Sequence, residues 1–189
     1  MMKSLENIDT TIFLWLNGLH SPFFDRVMWF ASDRFIWIPL YILFLWLLYR
    51  KYPKRFWVVL LTIALMILAG DQLSRFFKET VARYRPSQDP DIQHLVHIVN
   101  GYTGGAYGFF SGHATNSFAV ALFVITLLPA NRRFILPLAL SYASLVSYSR
   151  IYLGVHYPLD VLTGIITGSL IGFGAAKTFL LARRKLLKE

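Results

Sequence analysis

The chain has 189 residues, of which 56% are hydrophobic and 16% aromatic, with a formal net charge of +9 and no cysteine. So much apolar material argues against an ordinary water-soluble domain and for a single integral-membrane domain spanning 1–189. The absent cysteines exclude disulfides, thiol nucleophiles and thiolate metal sites. The basic residues cluster between apolar runs, as anchors beside anionic lipid heads do, and no nucleic-acid module is visible.

Residues 8–19 predict a short amphipathic helix with Ile8, Ile12, Trp15 and Leu19 on one face. It is too short to span and is expected to lie in the membrane interface. Lys3 is followed at once by Glu6 and Asp9, and no small-residue cleavage site follows, so no removable signal peptide is read. His20-Ser21-Pro22 breaks the helix, and a second apolar piece, 23–30, leads to Asp33-Arg34. Residues 1–33 thus form an interfacial N-terminal segment.

Five spans are expected after it: 35–49, 56–70 with helix continuing to about 77, 111–129, 134–148 and 158–181. The first is short, about 22 Å at 1.5 Å per residue. Residues 79–110 form the one long polar connection, with glycines at 101, 104, 105 and 108. The last span carries Gly164, Gly168, Gly172 and Ala176 at four-residue steps. Such small residues allow close helix contact in lipid. Asp160 continues the same stripe.

Charge orients the bundle. Arg50, Lys51, Lys54 and Arg55 follow the first span, Arg132 and Arg133 the third, and Arg183, Arg184, Lys185 and Lys188 the fifth. With five spans these places share one side, which the positive-inside rule makes cytoplasmic. Every carboxylate except Glu189 falls on or near the other side.

Three polar clusters fall on that other side. The first is Lys78 with Arg85-Pro86, the second Ser111-Gly112-His113, the third Ser149-Arg150 with His156 and Asp160. Lys78, Arg85 and Arg150 are candidates to hold phosphate oxygens, since fixed cations stabilise the charge that spreads over them in the transition state. Ser111 suits an N-cap, and Gly112 lets backbone N–H groups approach an anion. His156 and Asp160 are four residues apart, so the carboxylate can take the Nδ1 proton and leave Nε2 free as a nucleophile. His113 suits a general acid for the leaving alkoxide. Asp71 and Arg75 read as an ion pair on the Lys78 helix, Arg83 as a solvated charge, and His20, His94 and His97 as interfacial or solvated. A metal site fits poorly, because only Asp160 is well placed and two-metal phosphatases need several converging carboxylates.

These clusters resemble the type-2 phosphatidic acid phosphatase superfamily, which includes vanadium haloperoxidases and bacterial acid phosphatases. Its motif K-x6-R-P is matched by Lys78, Arg85 and Pro86, and S-R-x5-H-x3-D by Ser149, Arg150, His156 and Asp160. Its P-S-G-H is matched by Ser111, Gly112 and His113, with Phe110 in place of proline. The resemblance covers about 56–181. It implies an all-α, polytopic membrane bundle with a haloperoxidase-like phosphatase core. It further implies a phosphohistidine on His156 oriented by Asp160, His113 as proton donor and later water activator, and a phosphate held by Lys78, Arg85, Ser111, Gly112 and Arg150. No cofactor or metal is expected.

The membrane branch of the family acts on phosphatidic acid, phosphatidylglycerol phosphate, undecaprenyl diphosphate or lipid A. The expected partner is therefore a lipid phosphate, handled at the outer face of a bacterial inner membrane. A lipid phosphotransferase would use the same residues. A non-catalytic lipid or anion carrier is the rival from another class, but the repeated halves common in carriers are not visible.

Overall fold

The structure, a computed structural model, describes residues 2–185. Among the described residues seven α-helices follow one another: α1 (Met2–Gly18), α2 (Pro22–Ser32), α3 (Ile38–Lys51), α4 (Phe56–Val81), α5 (Gly112–Leu127), α6 (Arg132–Tyr152) and α7 (Pro158–Lys185). Among the described residues there is no β-strand. Three stretches of the described residues are long and apolar enough to cross a membrane: Pro53–Val81, Arg133–Tyr152 and Pro158–Arg184. The other two expected spans are the short helices α3 and α5, of 14 and 16 residues. For α5 there is a physical reason. It is buried on most of its circumference, and a helix wrapped by protein does not have to match the hydrocarbon thickness.

Local chemistry sets the boundaries. Ser21 caps α2 by accepting the Phe24 N–H, with Pro22 in the first helical position. Tyr52-Pro53 ends α3. Ala82, at φ 50°, ends α4 in the left-handed conformation while its N–H bonds the Lys78 carbonyl. Ser111 caps α5 by accepting the Ala114 N–H. Helix α6 runs past the expected end at 148 to Tyr152, which places Ser149 and Arg150 in its last turn.

The central crossing is α5 against α7. A Cβ added at Gly168 would land on the Thr115 carbonyl, and one at Gly172 on the Ala119 carbonyl. Backbone therefore meets backbone there, as the small-residue stripe predicts. Around it Phe44, Leu48, Met66, Phe123, Val124 and Phe179 fill the main core. Large apolar side chains such as Trp57, Leu61, Ile166 and Leu170 cover the outside, as lipid-facing residues do.

Helix α1 starts earlier than expected, at Met2, and its exposed face is the apolar one: Ile8, Ile12, Trp15 and Leu19. Its buried stripe is Asp9, Phe13 and Asn17. The Asn17 side chain donates to the carbonyls of His97 (3.1 Å) and Tyr152 (2.8 Å) and accepts the His97 N–H (2.8 Å). The N-terminal segment is thus fastened to the long loop and to the end of α6.

The basic ends gather as the charge pattern predicts. Arg55 donates to the Arg183 carbonyl (3.2 Å), and the Arg183 guanidinium lies over the Tyr52 ring. The turn after α3 and the end of α7 therefore share one end of the bundle.

The glycine crossing makes a testable contrast. Gly168→Val must push two helix backbones apart, so the expected cost exceeds the roughly 1–3 kcal/mol of ordinary overpacking. Gly174 has open space around it, and Gly174→Ala is expected to stabilise by about 0.5–1 kcal/mol through helix propensity. Thermal unfolding of the two purified variants in detergent checks the pair. Equal midpoints would contradict the close crossing.

Candidate active site

The long loop after α4 is built around Arg85. Its N–H bonds the Ala106 carbonyl (2.9 Å), and the Gly108 N–H bonds the Arg83 carbonyl (2.9 Å). This short antiparallel pairing lays residues 83–85 beside 106–108. The Arg85 Nε then donates to the Tyr107 carbonyl (3.0 Å), and one terminal nitrogen to the Val155 carbonyl (3.4 Å). A Cβ on Gly104, at φ +68°, would sit 2.7 Å from that guanidinium. The loop glycine therefore makes room for the cation.

The second cluster is fixed from both sides. The Ser74 hydroxyl donates to the Phe110 carbonyl (3.0 Å), and the Ser111 N–H to the Asp160 carbonyl (3.0 Å). Those bonds, with Phe110 itself buried against Phe77, hold the turn where the family motif has proline. Lys78 reaches the same turn, its Nζ 3.9 Å from where a Gly112 Cβ would stand. The first-turn N–H groups of Gly112 and His113 lie beyond the reach of intrahelical bonding.

The third cluster closes the site. Arg150 is buried, donating to the Ser32 hydroxyl and to the Tyr102 hydroxyl (3.1 Å), and its Nε has no partner among the described residues. Its carbonyl accepts the N–H groups of Val155 and His156 (3.1 and 3.2 Å), which folds the α6–α7 connection back over it. The His156 ring is 2% exposed. The charges of Lys78, Arg85 and Arg150 act on both His113 and His156, and His156 acts on His113. The three sequence-distant clusters therefore meet. An open cavity of about 800 Å³ is lined at this end by Lys78, Gly112 and His113, and Arg85, Arg150 and His156 are not among its lining residues.

Several readings need correction. Asp160 does not belong to His156 alone. His156 Nδ1 stands 3.5 Å from Asp160 Oδ2 and makes no hydrogen bond. Oδ2 accepts the Tyr157 N–H (3.1 Å), and Oδ1 takes Arg83 at 2.9 Å. Arg83 is accordingly no solvated charge. It also binds Asp9 at 2.7 Å and lies over the Tyr157 ring. Asp9 in turn accepts the Leu159 N–H (2.9 Å). Two buried carboxylates from opposite ends of the chain thus share one guanidinium. The signal available in the sequence was Asp9 itself, which shares a four-residue stripe with Phe13 and Asn17 opposite the apolar face.

Asp71 does not pair with Arg75 as expected; it accepts from the Asn116 amide (2.7 Å). His97 is not simply solvated. It stacks on His20, with ring centroids 3.7 Å apart, and contacts Asp25 at 2.9 Å. The Tyr152 hydroxyl donates to the same Asp25 oxygen (2.7 Å).

The PAP2 superfamily model matches residues 56–184. The chain belongs to that superfamily. It is 40% identical over 190 residues to a lipid A 4'-phosphatase of Bacteroides thetaiotaomicron, covering 97% of this chain and 81% of that one. A lipid A 4'-phosphatase of Porphyromonas gingivalis is 38% identical over 188 residues, covering 98% and 79%. Among solved structures, a transmembrane PAP2-type phosphatidylglycerolphosphate phosphatase from Bacillus subtilis superposes with a TM-score of 0.68 at 25% identity, covering 93% of this chain and 86% of that one. The chain is a membrane phosphatase, a phosphoric monoester hydrolase acting on lipids.

Two predictions follow from the geometry. Arg83→Ala leaves Asp9 and Asp160 buried without their cation, so it is expected to cost about 3 kcal/mol or more. Adding Asp9→Asn should recover part of that loss. Thermal unfolding checks both, and a single variant as stable as wild type would contradict the bridge.

The second concerns His156, which lies in the connection between two spans. Burial pushes its imidazole well below the usual range, and Arg85, Arg150 and Lys78 push the same way. The unfolded chain accepts a proton near pH 6.5 that the folded chain refuses. The stability contribution is therefore full above about 6.5 and is lost as pH falls toward the folded value. The midpoint of wild type is expected to drop more between pH 7.5 and 5.5 than that of His156→Gln. Equal drops would contradict a neutral, buried ring.

Proposed function

We propose that this enzyme removes phosphate from a saccharide-based lipid of the lipid A type, without a metal ion, through a phosphohistidine on His156. The observation that carries the reading is the convergence of Lys78, Arg85, Arg150, His113 and His156 beside one cavity. The likeness to two lipid A 4'-phosphatases over nearly the whole chain supports the substrate class.

In this reading Lys78, Arg85, Arg150 and the first N–H groups of α5 hold the three non-bridging oxygens of the phosphate. Cations and backbone donors fixed in place before reaction, in a site shielded from water, stabilise the spread charge of the transition state. His156 Nε2 attacks phosphorus, and the bond to the lipid oxygen breaks. His113 gives that oxygen its proton. Asp160 faces the other ring nitrogen of His156 and stabilises the cation that forms, while Arg83 and the Tyr157 N–H keep the carboxylate in position. His113, now neutral, takes a proton from water. The water oxygen bonds phosphorus as the N–P bond breaks, and inorganic phosphate leaves. Ser111 acts through its cap, which sets the direction of the α5 N-terminus. Among the described residues no group of three or more His, Asp or Glu side chains is arranged to hold a metal.

The site end lies opposite the basic turns, which supports a pocket on the extracytoplasmic face of a bacterial inner membrane. The lipid's apolar tails would stay in the bilayer while its head reaches the loop.

Phosphate release from purified protein tests the proposal. Turnover is expected to persist in excess chelator. His156→Ala is expected to lose at least about 10⁴-fold in kcat, the range for removing a nucleophile. A brief reaction with labelled substrate should leave an acid-labile phosphoenzyme on wild type and none on His156→Ala. Activity of that variant within tenfold of wild type would overturn the nucleophile assignment.

A further inference from the structure

The cavity is longer than a phosphate needs. On α4 it runs from Lys78 to Ile63, fifteen residues, or about 22 Å along a helix axis. Below the polar end its walls include Phe44, Leu48, Met66 and Phe123. Besides Asp71, Arg75, Asn116 and Ser117 on α4 and α5, its walls carry one polar pair on α3 and α6. The Tyr41 hydroxyl of α3 and the Tyr142 hydroxyl of α6 are 2.8 Å apart, and both residues line the cavity. Tyr142 stands eight residues before Arg150 on α6, about 12 Å deeper along the helix.

The hydroxyls do not satisfy each other. Each has one O–H and two lone pairs. Between them one O–H is used, and the second has no other protein partner among the described residues. Two phenylalanines would fill the same space without placing an unmade donor in an apolar shaft, which is costly at membrane depth. Trp37 packs edge-on against Tyr142, ring centroids 4.8 Å apart, and holds the ring in place. A staple between α3 and α6 needs only the shared bond. Both residues line the cavity, so the remaining donor is available to what fills the shaft.

We propose that the Tyr41–Tyr142 pair is a specificity-determining element for the lipid tail. It favours an acyl chain carrying an oxygen function, a hydroxyl or an ester or amide carbonyl, over an all-hydrocarbon isoprenyl tail. The inference rests on the phosphatase reading above and deepens it. An acyl oxygen two turns below the phosphate accepts the free O–H. An isoprenyl chain in the same shaft offers no acceptor and leaves that donor unpaired. Sites built to hydrogen-bond a group discriminate against analogues that lack it.

The test uses two synthetic lipids with the same phosphate head and chain length, one with a hydroxyl or ester in the tail and one all-carbon. Phosphate release is measured as kcat/KM for each. Wild type is expected to favour the oxygenated lipid by about tenfold, the worth of one buried hydrogen bond. In the double variant Tyr41→Phe/Tyr142→Phe, which removes both O–H groups, the ratio should move toward one, whereas either single variant still leaves one unpaired O–H and keeps the preference. A wild-type ratio near one overturns the inference, whether or not the variants fold. So does a preference that the double variant keeps in full, because the pair is then only a staple. No phosphate release from either lipid by wild type would overturn the phosphatase reading, and this inference with it.

Discussion

The carboxylate of Asp160 is the constraint from which the site is built. It is wholly buried, and it is bound on one oxygen by Arg83 and on the other by the Tyr157 N–H. Its own backbone carbonyl receives the Ser111 N–H. One residue therefore ties the start of α7 to the loop after α4 and to the cap of α5. Arg83 carries the connection on to Asp9 and so to α1. A charge in a low-dielectric interior is tolerated only when paired and hydrogen-bonded. The segments are held in register because releasing Arg83 leaves buried carboxylates uncompensated, and releasing the α5 cap leaves the Ser111 N–H and the Asp160 carbonyl unpaired.

The helix crossing serves the same end. Because Gly164, Gly168 and Gly172 let α7 lie against the α5 backbone, the N-termini of the two helices come side by side. That brings His113 and His156 to one place while their chain positions stay 43 residues apart (156 minus 113). Larger residues in the stripe would separate the helix axes and with them the histidines. The motif residues and the packing residues thus solve one geometric problem from two sides.

Much of this was readable in the residues because it is local. The spacings Lys78 to Arg85 and Arg150 to His156, the Ser111 cap and the glycine stripe all lie within one element or its edge, where periodicity and capping rules apply. The clustering of the α3–α4 turn with the α7 end followed from counting charges. What escaped was non-local. Arg83 looks like any loop cation until Asp9, 74 residues earlier, is placed beside it. His97 likewise gains its meaning from His20, between α1 and α2, and from Asp25 of α2. Four-residue spacing permits Asp71 a helix neighbour in Arg75, yet Asn116 of α5 claims it across the bundle. Local rules state which contacts a helix allows, and tertiary packing selects among them.

The dependence on α1 has a consequence for how the enzyme comes into being. A chain that leaves the ribosome from its amino end delivers Asp9 first, but Leu159, which satisfies that carboxylate, lies 150 residues further on. Contacts of such long range form late, after the loop-closure entropy has been met. Partly synthesised intermediates in the membrane would hold the Lys78 and His113 elements without the lock that aligns them. Catalytic competence then arrives at the close of biogenesis, and a nascent or prematurely terminated product stays inert toward the surrounding lipid.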